Sequence, residues 1–563
     1  MDALQHVRSR SPSPPHKKPR LDSPKHIEAT GGAETEDALL DRPTDAMVLQ
    51  AESSKKQGKK RGARKPKNKL PEPYSNEDVV HRDVVALLGE DVVNSIMAEG
   101  KDWTSPFQMR EEVQLTVSAL SSNGESLSIA PEPHPPWVIL TPFALPGEVI
   151  RARVYRHSQL HSYADLIEVV QPNTEMRDDS RVQCKYFGKC AGCQYQMLSY
   201  ETQLDLKRNV IVKAYNNFSS LPSSSVPEIL PTIGSPLQYG YRTKLTPHFD
   251  RPAKKFKQHG SANGSKPDWF NVGFNQIGTR TVMDIEECPI ATPVLNKALG
   301  PIRENIFNNL STYKKGVSLL LRESIEISPK EAPTDAKPDE SSDNLVCVTN
   351  HRETVRERVG DMLFEYTAGS FFQNNNSVLV PLTSYVRDAV FACDPPLDPR
   401  PTHLVDAYCG SGLFAITLSP HFEKVAGIEL SSESIACATK NAKLNNLPEG
   451  KCSFLEGDAA NIFSTVQDFP RDKTVLIIDP PRKGSDEKFI DQLIKFGCQT
   501  VVYVSCNVHT QARDVGMILQ KSEAAMEGRK YVLDTVRGFD LFPQTAHVES
   551  VAVLRLVESS PVS

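Results

Sequence analysis

The chain has 563 residues, 24% of them charged, and a formal net charge of only −5. That length exceeds one hydrophobic core and implies three or four domains, while the near-neutral balance excludes a uniform polycation. No secretory core and no apolar run near 18 residues is present, so a soluble intracellular protein without a membrane span is expected.

Residues 1–75 carry "SRSPSPPHKKPR" (9–20) and "KKQGKKRGARKPKNK" (55–69) with few large apolar side chains. Such a segment buries too little surface to offset its ordering entropy, and a disordered basic tail is expected. Its clusters suit nuclear import or loose contact with RNA or DNA, with plain solvated charge as the alternative. Asp2, Asp22, Glu28 and the prolines argue against a transit peptide. Nucleus and cytoplasm are the expected compartments, with a mitochondrial pool left open. In that reducing setting the eleven cysteines are expected as ligands, catalytic groups or core residues instead of disulfides.

Residues 76–105 show helical spacing and predict a short helical extension. Over 106–171, "EEVQLTVSALSSNGESLSI", "WVILTPFALPGEVIRARVYRH" and "YADLIEVVQP" read as short strands with turn signals. Five or so strands in this length fit a small OB-like barrel. Arg151, Arg153, Arg156 and His157 fall on or beside its strands and suit a nucleic-acid face, with solvent-facing charge as the alternative. Residues 172–365 predict a small central α/β domain. It holds a cysteine cluster, a helix near 199–217 and two flexible insertions at 251–268 and 328–344. Residues 366–563 alternate strand and helix, which predicts a doubly wound parallel sheet with an antiparallel pair added at its edge.

"VDAYCGSGLFAI" (405–416) is a strand, a turn with Gly410 and Gly412, and a helix start. Glycines there let the backbone approach a ligand at the carboxyl end of a strand. Glu429 ends the next strand, seventeen residues past Gly412, where an acid can bind ribose hydroxyls. A glycine loop, a second-strand acid and no phosphate-binding lysine favour S-adenosylmethionine over ATP, with NAD as the alternative. "IIDPPRKG" (477–484) places Arg482 where amino-group methyltransferases carry an aromatic, which argues against exocyclic-amine methylation. "YVSCN" (503–507) ends a strand on Cys506, either a small apolar plug or a nucleophile.

"SFFQNNN" (370–376), "DAYCGSG", "GIELS", "DPPRKG", "YVSCN" and "LFPQTAHVES" (541–550) occur in order. Together they resemble the RNA uracil-C5 methyltransferases, and the barrel resembles the TRAM domain of that family. The resemblance implies methyl transfer from S-adenosylmethionine to C5 of a uridine in tRNA, at T-loop position 54, by a monomer. It implies Gln373, Tyr408, Glu429 and Asp479 as cofactor contacts, Cys506 as nucleophile and Glu549 as base. "YGYRTKL" (239–245) resembles the family's substrate segment, which implies that Arg242 touches RNA, with a structural salt bridge as the alternative. His547 is read as structural or substrate-orienting, and Cys409 as a small residue tolerated in the glycine loop.

The chemistry makes sense on its own terms. Uracil C5 becomes a carbon nucleophile only after a thiolate adds at C6, and a base must then remove the C5 proton. Such a Cys506 needs a lowered pKa or a proton acceptor nearby. Cys184, Cys190 and Cys193 have a C-x5-C-x2-C spacing unlike common zinc fingers. With Cys288 they resemble the ligands of a [4Fe–4S] cluster, with zinc or free thiols as alternatives. The rival functions are a cytosine-C5 RNA methyltransferase and a non-catalytic RNA-binding or tRNA-folding factor.

Overall fold

The computed structural model describes residues 70–98, 104–250, 266–313, 315–327, 343–392, 396–457, 463 and 465–558. The basic tail to residue 69 and the bodies of the two expected insertions, 251–265 and 328–342, lie outside the described residues. Among the described residues no helix is long and apolar enough to cross a membrane.

The chain enters on two short helices, α1 (Asn76–Leu88) and α2 (Glu90–Ala98). Ser75 caps α1 by accepting from the Asp78 amide, and Gly89, at φ 91°, ends it in a conformation that disfavours any Cβ. Six strands follow: β1 (Glu112–Thr116), β2 (Ala119–Leu120), β3 (Ser126–Ile129), β4 (Val138–Thr141), β5 (Val149–His157) and β6 (His161–Gln171). They form one sheet in the order β1-β5-β6-β4-β3-β2. Its edge strands β1 and β2 are successive halves of one segment, and the Ser118 amide between them donates to Leu127 of β3. The sheet therefore curls closed around Leu115, Val117, Trp137, Ile139, Ile150 and Val154.

Helix α3 (Tyr200–Phe218) comes next, capped by Ser199, and then β7 (Leu230–Ile233). The central region adds short strands: β8 (Lys244–Leu245), β9 (His248–Phe249), β10 (Val272–Gly273), β11 (Val317–Ser318), β12 (Leu321–Ile325) and β13 (Leu345–Val348). A hairpin of β14 (Thr354–Val359) and β15 (Met362–Thr367) closes it.

The remaining strands are β16 (His403–Ala407), β17 (Lys424–Glu429), β18 (Cys452–Glu456), β19 (Thr474–Ile478), β20 (Thr500–Ser505), β21 (Arg529–Phe539) and β22 (Glu549–Glu558). With β7 they make an eight-stranded sheet, β18-β17-β16-β19-β20-β22-β21-β7, parallel from β18 to β20. Strands β19 and β20 are buried at every position, as expected when both faces are covered. One face packs Val405, Leu476 and Val501 against α3 and two helices, Glu487–Phe496 and Val508–Ala525. The other packs Leu404, Val475 and Val502 against the helices Leu379–Phe391 and Leu413–Leu418.

Two expectations need correcting. The β21–β22 pair is not the sheet's edge, because β7 pairs parallel to β21 beyond it. A boundary at 365/366 does not divide the packing either. It cuts β15, and it assigns α3 and β7, which complete the large sheet, to the central region.

Candidate active site

The carboxyl ends of β16, β17 and β19 each present an acid. Asp406 is fully buried and accepts from the Ala415 amide through Oδ2, while its Oδ1 has no partner. Burial pushes it up to about 8, with Asp479 and Glu429 adding repulsion. Burial likewise pushes Asp479 up to about 7, with Glu429 the neighbouring charge. The Glu429 carboxylate accepts from the amides of Gly410, Leu430 and Ser431. Between them runs the glycine loop. Gly410 has φ 51° with open space where a Cβ would stand, and Gly412, at φ 92°, has no room for one beside Ile416 and Ala438. Tyr408 also takes a positive φ, 63°, a strain that collects at ligand-binding turns. An orphaned buried carboxylate oxygen, three acids and an open glycine turn suit a cationic nucleoside ligand. Asp406 was part of the quoted motif, but its role was not read from the sequence.

Gln373 is buried in the segment after β15. Arg322 of β12, itself fully buried, grips that segment on both sides, donating to Asn374 Oδ1 at 3.2 Å and to the Phe372 carbonyl at 3.4 Å. Its charge is met by Glu357 at 3.3 Å, and Tyr366 donates to the same carboxylate. The Thr243 amide donates to the Asn374 carbonyl, so the Arg242 segment rests directly against Gln373's neighbour.

Cys506 follows the last residue of β20. In the β20–β22 register Ser505 pairs with Ser550, and one further step sets Cys506 across from Glu549. Burial pushes the Cys506 thiol up to about 12, with Glu549 and then Asp479 adding to it and Arg482 opposing. Burial, then Asp479, holds Glu549 well above the usual carboxylate range, and Arg482 opposes this too. The expected lowered thiol pKa is therefore absent from the resting site. An acid does stand beside the thiol, but burial favours the protonated form of Glu549 at rest. The Arg482 carbonyl accepts from Asn507 Nδ2 and Thr510 Oγ1, which locks the "DPPRKG" turn to the cysteine loop. Gly484 makes that fit possible, since a Cβ there would lie 2.5 Å from Arg513 and 2.6 Å from Asp514.

A cavity of about 980 Å³ opens in front of Cys506. It is bordered by Arg482, His509, His547 and Arg242, and also by barrel residues and all four expected cluster cysteines. Gln373, Tyr408, Glu429 and Asp479 are not among its lining residues, although the Asp479 charge acts on the Cys506 thiol. Burial drives His547 and His509 down to about 3, and both are neutral at physiological pH. His547 stands edge-on to Phe542 at 5.1 Å, with its protonation suppressed. Arg242 donates from Nε to the Lys244 carbonyl and lines the cavity.

The loop that carries His547 and leads into Glu549 is clamped by residues sequence reasoning missed. Lys207 of α3 is fully buried against Asp540 and also donates to the Phe542 carbonyl. Gln203 and Gln544 exchange two hydrogen bonds, at 3.1 and 3.0 Å. Tyr241 donates to the Pro543 carbonyl. The Gln194 and Tyr195 amides donate to the Gln544 carbonyl, which joins the cysteine loop to the same clamp. These partners lie about 300 residues or more apart in sequence, and no local pattern announces them.

Burial raises all four thiols, Cys288 to about 12, and Cys184 adds to the rise of the other three. Among the described residues no three His, Cys, Asp or Glu are grouped tightly enough to hold a single metal ion. Arg151 and Arg153 do not make the expected open basic face. They pair with Glu112 and Glu168 on the outside of the barrel.

A doubly wound sheet with an acid-tipped glycine-loop site, next to a strand-end cysteine, defines a class I methyltransferase. A profile of the family described as tRNA (Uracil-5-)-methyltransferase matches residues 345–557. The chain is 40% identical over 524 residues to the tRNA (uracil(54)-C(5))-methyltransferase of Schizosaccharomyces pombe, covering 92% of this chain and 90% of that protein. It is 38% identical over 577 residues to the protein of the same name from Saccharomyces cerevisiae, covering 94% and 89%. The fold is similar to that of the Pyrococcus abyssi tRNA (uracil-54, C5)-methyltransferase in complex with S-adenosyl-L-homocysteine. The TM-score is 0.53 at 22% identity, covering 78% of this chain and all of that one. The chain belongs to the tRNA (uracil-5-)-methyltransferase family.

Proposed function

We propose that the chain transfers a methyl group from S-adenosylmethionine to C5 of a uridine in transfer RNA, uridine 54 being the target. The two fungal relatives bear that activity in their names and align over nearly the whole chain. The observation that carries the chemistry is the meeting of Cys506, one residue past the Ser505–Ser550 pair, with Glu549, whose charge acts on the thiol.

The target base leaves its stack to enter the cavity. Cys506 Sγ gives its proton to solvent and adds to C6, and charge moves through C5 to the C4 oxygen. S-adenosylmethionine, when bound, supplies the methyl group; Gly410, Gly412, Tyr408, Glu429, Asp479 and Gln373 would hold it. Glu549, ionised at this stage, takes the C5 proton, the sulfur–C6 bond breaks, and that proton passes to the expelled sulfur to restore the thiol. Burial keeps the resting thiol protonated, so the nucleophile forms only with substrate present. Arg482 is the cation that favours the ionised form of both groups.

We read the closed six-stranded sheet as the TRAM barrel and Arg242 as an RNA contact. For the four cysteines we propose a [4Fe–4S] cluster. The C-x5-C-x2-C spacing with Cys288, and the place of all four thiols on the wall of one cavity, support this. Its role is to brace the clamp on the Gln544 loop, and no step passes through it. Protein purified without oxygen should then be brown and hold about four irons; a colourless, iron-free protein would remove the cluster.

The decisive test separates the two catalytic residues. Cys506→Ala should form neither product nor a covalent complex with 5-fluorouridine RNA. Glu549→Gln should accept the methyl group and then stall as a protein–RNA adduct that survives denaturing electrophoresis. Normal turnover by Glu549→Gln would place the base elsewhere.

A further inference from the structure

The cavity is larger than one pyrimidine needs. At about 980 Å³ it lies at the top of the range for ligand sites, roughly 300–1,000 Å³. Its lining runs from Cys506 across to the closed sheet, where Tyr155, Arg156 and Tyr163 face it. These residues are unlike the rest of the barrel's basic set. Arg151 and Arg153 turn outward into ion pairs with Glu112 and Glu168. Arg156 turns inward, with its guanidinium 3.9 Å from the Tyr163 ring centroid. Behind it, His161 is buried and stands edge-on to Tyr163 at 5.0 Å. The Tyr155 ring lies 6.3 Å from Tyr163 at 37°, half-buried, and it borders the loop at Gly278 across the cavity. Arg156 also meets Glu77 of α1 at 3.8 Å, so the tier is braced from outside the barrel.

A packed tier of imidazole, phenol and guanidinium, with a second phenol at the cavity wall, has the form of a base-stacking platform. Unpaired RNA bases stack on tyrosine rings and on arginine planes with little regard to sequence. What sets Arg156 apart from Arg151 and Arg153 is its stack on the buried Tyr163 ring at the cavity wall, since all three have a glutamate partner.

We propose that Tyr155 and Arg156 form a second base site, which holds a nucleotide near the target uridine while that uridine occupies the Cys506 end of the same cavity. The inference rests on the functional reading above. In this arrangement the barrel receives a strand already unstacked, and one cavity takes up the target and a neighbour together. The barrel then contributes to substrate affinity through stacking, and its outer arginines contribute little.

The test uses the full chain and transfer RNA. Tyr155→Ala and Arg156→Gln should raise the KM for RNA by roughly 5- to 100-fold, the range of a lost base stack. The KM for S-adenosylmethionine and kcat at saturating RNA should be unchanged. Tyr155→Phe should restore the RNA KM, and Arg151→Ala should leave it as it was. Transfer RNAs carrying a single 4-thiouridine at positions flanking the target supply a second readout that a merely structural role does not move. At least one should photocrosslink to the peptide spanning residues 155–163. Crosslinks confined to the segments around Arg242 and Cys506, or a Tyr155→Ala enzyme with RNA KM within twofold of the parent, would overturn the proposal. A parent enzyme that transfers no methyl to transfer RNA would instead overturn the functional reading.

Discussion

Burial decides the resting state of the two proposed catalytic side chains. A thiol pushed up to about 12 rests protonated at neutral pH. The site is thus guarded against stray alkylation and oxidation until a substrate changes its surroundings. Cys506 and Glu549 were legible because each sits in a recognisable string. Arg322 was not, because its partners Glu357, Tyr366 and Asn374 lie 35 to 52 residues away and nothing local marks it. Yet it fixes the backbone on both sides of Gln373. Arg322→Met should cost about 3–5 kcal/mol by leaving Glu357 buried and unpaired, measurable by denaturant titration. Adding Glu357→Leu removes the stranded charge and should restore most of that stability. Affinity for S-adenosylmethionine should stay reduced by about tenfold in the double variant, as lost hydrogen-bonded positioning implies, and calorimetry would show it. Full recovery of affinity would mean that Gln373 does not need its bracket.

At the level of elements, the parallel strands were legible because they are unbroken apolar runs. "TVLII" and "TVVYV" could be little else once helices flank them on both faces. Strand β7 was illegible. "LPTI" is four residues with a proline, which is tolerated only because it forms the sheet's outer strand. The three acids at the tips of β16, β17 and β19 show how topology creates chemistry that no single segment contains. Burial pushes Asp406 up to about 8, with Asp479 and then Glu429 adding to the rise, and Asp479 up to about 7, with Glu429 adding to it. A cationic ligand favours the ionised forms, so its binding expels protons and its affinity rises with pH. Between pH 6 and 8 the affinity for S-adenosylmethionine should increase by up to about tenfold per unit for each proton released. S-adenosylhomocysteine lacks the sulfonium charge and should show a shallower rise. Calorimetry in buffers of different ionisation enthalpy would count the protons, and equal slopes for the two ligands would dissociate these acids from the sulfonium.

Across the whole molecule, charge is divided unevenly between residues 1–69 and the rest of the chain. Residues 1–69 hold sixteen Lys and Arg against nine Asp and Glu, a net +7, which leaves −12 for residues 70–563. A body of that sign repels RNA at long range, and its outer barrel arginines are already paired with glutamates. Attraction must therefore come from the tail, where nine of the fifteen residues from 55 to 69 are basic. Site choice, by contrast, belongs to the cavity, because phosphate contacts carry no sequence information. Removing residues 1–69 should lower kcat/KM for transfer RNA most at low salt, where steering is strongest. It should also flatten the plot of log affinity against log salt by about 0.7 to 0.9 for every phosphate the tail neutralises. The methylated uridine should not move, and kcat at saturating RNA should hold. Binding measured from about 50 to 200 mM salt, with nucleoside mapping of the product, checks both halves. An unchanged slope would show that the acidic body finds RNA unaided, and methylation at a new uridine would show that the tail helps choose the site.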